Sequence, residues 1–167
     1  MKKRNLLIIA VLILCIALAW VFFSSSQIIG QVNNHKTDEE AIKEVVTSYF
    51  EKIKNYHWNN YNKEKGLEFW TEEGKDELLN NPDKLSALEK SIKENKISRK
   101  LTEQKITTLN IQDNQAEVKA STFEESTSED ERFNGTVKTY ETLTLVKEKD
   151  IWRIQKRDAI SMTTKTE

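Results

Sequence analysis

Residues that usually carry cross-links or catalysis are scarce in this chain of 167. It has one cysteine, Cys15, so the chain holds no internal disulfide and no Cys-x-x-Cys pair. Its only histidines, His35 and His57, do not form a His-Glu-x-x-His metal motif. Four glycines and one proline leave no glycine-rich phosphate loop, and no Ser/His/Asp order of a hydrolase is present. Net charge is close to balance, with 26 cations against 27 anions, which removes the basic face that nucleic-acid binding needs. These absences call for no cofactor, no metal and no nucleic-acid partner.

One long apolar run is present. Leu6 to Phe23 (LLIIAVLILCIALAWVFF) carries no charge, glycine or proline. About 18 helical residues at roughly 1.5 Å each span ~27 Å, close to the hydrocarbon thickness of a bilayer. A helix satisfies its own backbone, so a single run can cross lipid in that form. Lys2, Lys3 and Arg4 precede the run and no cation follows until Lys36, which directs the N-terminus to the cytoplasm and the remainder outside. Trp20, Phe22 and Phe23 stand where an outer aromatic belt lies. The run is read as a retained signal-anchor. A cleaved signal peptide, cut after Ala17-Leu18-Ala19, is the alternative, opposed by the apolar continuation from Trp20 to Phe23. A lipoprotein signal fits less well, because Leu14 stands where a small residue would precede Cys15.

Setting aside Lys2, Lys3 and Arg4, the exterior part carries four more anions than cations. The wealth of Lys, Asn, Glu and Ile points to a low-GC bacterium and so to a Gram-positive cell envelope. Residues 1–23 are then a cytoplasmic stub and anchor, 24–36 a polar stalk, 37–160 one exported domain and 161–167 a frayed tail.

Within the domain, Thr37 followed by Glu40 is a capping box. Ile42, Val45, Val46, Tyr49, Phe50 and Ile53 then recur at helical spacing, with Lys43, Glu44, Glu51, Lys52 and Lys54 assigned to the solvent face and an end near Tyr56. Tyr56 to Tyr61 (YHWNNY) is read as a turn whose aromatics close the core, or else as one wall of a pocket with His57 as acid or base. Thr71-Glu72-Glu73 starts a short helix through Leu79, and Pro82 starts another with Leu85, Leu88 and Ile92 as its stripe. Lys90, Lys93, Lys96, Arg99 and Lys100 read as a solvated basic face.

From Leu101 the period changes to two. Strands are expected over Thr102 to Gln112, from Ala116 to near Phe123, from Phe133 (or from Thr136, if Asn134-Gly135 turns) to Val146, and in a short last run from Ile151 to Arg157. Asp113-Asn114 is the first turn, and the acidic stretch Glu124 to Arg132 reads as a mobile hairpin loop without the glycine-turned spacing of a calcium site. Val137, Thr139, Glu141, Leu143 and Leu145 share one parity of the third strand.

Helices followed by an antiparallel meander imply an α+β domain, about three helices packed on a curved sheet of about four strands. TDEEAIKEVVTSYFEKI, KITTLNIQDNQAEVKAS and TYETLTLVKEKDIWRIQKRD in that order resemble the nuclear-transport-factor-two-like superfamily of cone-shaped domains, over roughly Asp38 to Asp158. The resemblance implies a pocket at the mouth of a cone. The superfamily includes isomerases, dehydratases, membrane-bound conjugation assembly factors, penicillin-binding-protein accessory domains and exported binding domains.

The expected function is therefore that of a non-catalytic, single-pass membrane protein whose exterior domain binds a small molecule or envelope protein. The alternative is a subunit of a conjugation or secretion channel; a small isomerase or dehydratase-like enzyme comes third. Ligand-pocket candidates are Tyr49, His57, Trp58, Trp70, Tyr140, Glu141 and Trp152, among which Glu141 is the best single acid–base candidate but is expected to face outward.

Overall fold

Thr37 forms its expected capping box in the computed structural model, which describes residues 36–80 and 82–164. The expected membrane span and residues 24–35 of the stalk lie outside the described residues. Among those described, no helix is long and apolar enough to cross a membrane. Thr37 Oγ1 accepts from Glu40 N at 3.2 Å, and the Glu40 carboxylate accepts from Thr37 N at 3.0 Å. The pair satisfies donors that a helix start otherwise leaves open. Helix α1 runs Asp38–Lys54 and buries Ile42, Val46, Tyr49 and Phe50. It ends at Lys54 with Asn55 as its C-cap, near Tyr56 as expected.

Thr71 caps α2 (Glu72–Leu79) by accepting from Gly74 N at 2.9 Å. Helix α3 (Pro82–Glu94) starts at the proline, where the missing N–H costs nothing. The strands are β1 (Ser98–Gln112), β2 (Gln115–Thr127), β3 (Gly135–Glu148) and β4 (Ile151–Thr164). They pair antiparallel in the order β1-β2-β3-β4, so the described residues form an α+β fold of three α-helices and one four-stranded sheet.

Three expectations fail here. Residues Glu124 to Thr127 are strand, not loop, because the inward parity of Ala116, Val118 and Ala120 continues through Thr122, Glu124 and Ser126. Arg99 and Lys100 belong to β1 rather than to a helical basic face. Strand β4 is as long as β3, and Ser161 to Thr164 pair with Thr139 to Thr136, so those residues are no frayed tail.

Simple alternation is broken by one extra residue at three places. In β1 the pairing skips Thr102 and Thr107, and in β4 it skips Gln155. Each extra residue flips the parity of the strand beyond it. The two threonines satisfy their bulges alike, Thr102 Oγ1 donating to Phe123 O and Thr107 Oγ1 to Lys119 O, both at 3.0 Å. As a result Leu101, Ile106 and Leu109 all reach the core side, and Arg157 follows Ile154 onto the same face.

The core joins the α1 stripe to Val118, Leu143, Leu145, Trp152 and Ile154. Trp152 Nε1 donates to Asp38 Oδ1 at 2.9 Å, and Lys147 Nζ donates to the same oxygen at 2.8 Å, tying the start of α1 to the β3–β4 hairpin. Helix α2 is drawn onto β4 by Thr71 N, which donates to Ile154 O at 2.9 Å. Gly74 permits that approach: a Cβ there would lie 2.6 Å from Gln155 O.

Candidate functional site

Lys54 follows Phe50 by four residues and Val46 by eight, so helical period sets it on the buried stripe of α1. Its assignment to the solvent face is thus corrected: it is buried, and its Nζ lies 2.9 Å from Glu124 Oε1 and 2.8 Å from Glu141 Oε1. Both carboxylate side chains are fully buried. Arg99 Nη1 donates to Glu124 Oε2 at 3.3 Å, and Arg157 Nε donates to Glu141 Oε2 at 2.5 Å. Glu124 also accepts from Thr122 Oγ1 at 3.3 Å and Thr139 Oγ1 at 3.5 Å.

The sheet register assembles this network. Thr122 pairs with Thr139, and the two carboxylates stand one inward position further along β2 and β3 in opposite directions. Lys54 bridges them from above. The Glu141 Oε1–Lys54 contact has ion-pair distance without hydrogen-bond geometry. Burial pushes the Glu141 carboxyl up, but the charges of Arg157 and Lys54 outweigh it and hold the group below the usual carboxylate value. Arg157 is likewise opposed by burial, yet Tyr49 and Glu141 beside it hold its cation more firmly than usual.

Next to the network lies a cavity of about 360 Å³. Tyr49, Ile53 and Lys54 come to it from α1, Leu85, Leu88, Ser91 and Ile92 from α3, Arg99 from β1 and Arg157 from β4. Tyr56, Tyr61, Lys63, Lys65, Leu67 and Trp70 come from the segment between α1 and α2. Antiparallel backbone bonds between Tyr56 and Arg99, at 3.0 and 2.8 Å, pin that segment to β1. The segment turns at Gly66, whose φ of 93° favours glycine. Burial raises the Tyr56 phenol to about 12 and moves Tyr61 in the same direction, so both remain O–H donors at neutral pH.

Of the sequence candidates, Tyr49 and Trp70 line this cavity, and Glu141 lies behind it through its contacts with Lys54 and Arg157. The expectation that Glu141 faces outward is wrong, because it shares the inward parity of Leu143 and finds two cations there. His57 is exposed, 2.7 Å from Asn59 Oδ1, and is not among the lining residues. Trp58 is half-buried with Lys96 Nζ 5.7 Å from its ring, and Trp152 serves the core and the start of α1. Tyr140 is exposed on the other sheet face, with Lys138 Nζ 4.7 Å from its ring.

The residues the sequence reading passed over are Lys54, Arg99, Glu124 and Arg157. Periodicity carried on past Ile53 and past Ala120 would have found Lys54 and Glu124. Arg99 and Arg157 had no such signal, since bulges separate them from the regular alternation. No protein-family model, curated protein or solved structure matches the chain.

Proposed function

We propose that this chain is a membrane-tethered, non-catalytic binding protein. The apolar run 6–23 would anchor it, and a cone-shaped domain resembling the nuclear-transport-factor-two-like superfamily would work at the outer face of a bacterial cell membrane. The observation that carries the binding reading is the cavity, walled by helix, loop and sheet and held by a buried ion network beneath it. Pockets of this size with a few convergent polar groups are the usual form of small-molecule sites.

A catalytic reading is disfavoured by the same network. A general base works best with a pKa near the operating pH, whereas Glu141 is held below the ordinary carboxylate value by two cations. An assembly role, as in a conjugation or secretion channel, draws on one further observation. Tyr140, Ile160 and Met162 are exposed large apolar residues on neighbouring positions of β3 and β4, where Tyr140 pairs with Ile160.

The test is purification of the full chain from its own membranes in mild detergent, with identification of everything that accompanies it. The binding reading predicts a small molecule in one-to-one amount, lost when Ser91→Phe fills the cavity. Stoichiometric recovery of envelope or channel proteins instead would select assembly. A form in the culture medium beginning at Trp20 or later would remove the tether.

A further inference from the structure

Five cations line the cavity, Lys54, Lys63, Lys65, Arg99 and Arg157, and no carboxylate is among the lining side chains. The network behind supplies two carboxylates, Glu124 and Glu141. The site thus has three more cations than anions. Glu89 on α3 acts on both Tyr61 and Lys63, but Lys93 Nζ donates to it at 2.6 Å, and the Glu89–Lys93 pair adds no net charge.

Apart from Asn62, Ser91 and three tyrosines, the rest of the lining is apolar, with Leu88, Ile92 and Ile97 from and beyond α3. We propose, on the footing of the binding reading, that the cavity takes a small amphipathic carboxylic acid. Its carboxylate meets Arg99 with the Tyr56 and Tyr61 phenols, and its apolar body lies against the α3 side. A cationic ligand would face an uncompensated positive wall. A neutral one would leave the excess of positive charge unbalanced.

The assay is calorimetric titration of the full chain in maltoside micelles, with empty micelles as the blank. The probes are 3-phenylpropionate, its amide and 3-phenylpropylamine, which share a body and differ in charge. The proposal expects binding of the acid, about tenfold or more weaker binding of the amide, and none of the amine. Lys63→Gln, at a half-buried position outside the ion network, should weaken the acid several-fold and leave the amide unchanged. Arg99→Gln should abolish the acid's advantage. Equal binding of acid and amide, or preference for the amine, overturns the anion assignment while leaving the cavity a binding site. Failure of all three probes also overturns it, and the binding reading falls with it only if the chain purified from membranes carries no small molecule.

Discussion

Replacing Lys54 by methionine keeps the length of its stem and removes the one cation that touches both buried carboxylates. Glu124 is then left with Arg99 at 3.3 Å and two threonine hydroxyls, and Glu141 with Arg157 at 2.5 Å. Two fully buried negative charges lose half of their cationic neighbours, and no water shell replaces the loss. Removing one partner of a buried ion pair typically costs about 3–5 kcal/mol, most of it the penalty of the charge left behind. For a domain of this size that is a fall in Tm of roughly 10–20 °C. Urea unfolding followed by tryptophan fluorescence suits the measurement, because Trp70 and Trp152 are both buried. The double variant Lys54→Met with Glu141→Gln should regain part of the loss, since one stranded charge is gone. A Lys54→Met variant less than about 1 kcal/mol below wild type would place Lys54 at the surface, where ion pairs contribute that little, and would refute the buried network.

Gly74→Ala would ordinarily favour a helix by up to about 1 kcal/mol, yet here it should destabilise by about 1–3 kcal/mol, since its Cβ meets Gln155 O at 2.6 Å; thermal melts decide the sign. Thr37→Ala should lose about 1 kcal/mol through the capping box, read by the same melts, with Thr37→Ser close to wild type. The depressed Glu141 carboxyl contributes stability that is fully present above the ordinary value of 4.5 and is lost as pH falls through its lower folded value. Urea midpoints measured from neutral pH down should therefore drop steadily below about pH 5, and Glu141→Gln should flatten that drop while lowering stability at neutral pH.

Much of this fold is written in local patterns. The capping box at Thr37, the cap at Thr71, Pro82 at a helix start and the inward series Val137, Thr139, Glu141, Leu143, Leu145 are all readable without coordinates. The site is harder to read, for a physical reason. Its charges occupy positions that hydropathy assigns to solvent, and they are tolerated inside only because they meet one another across α1, β1, β2, β3 and β4. Glu124 resembles part of an acidic loop because four other acids come closely after it, yet only Glu124 among them has the inward parity and fully buried environment. Arg157 is hidden by Gln155, the extra residue that turns an apparently outward arginine toward Glu141. The pairing partners of a bulged strand fix such a flip, and they are distant in sequence.

Labelling at Ser91 tests the account of an exported domain with an open cavity most directly. Ser91 is half-buried on α3 and lines the cavity, and Cys15→Ser removes the chain's only competing thiol. The Ser91→Cys variant is treated in intact cells with a membrane-impermeant maleimide, beside Lys119→Cys as an exposed control. The account predicts that both positions label in intact cells, and that 3-phenylpropionate slows Ser91→Cys without slowing the control. Labelling of both only after lysis would contradict the exterior location, and labelling of Ser91→Cys only after unfolding would contradict the open cavity.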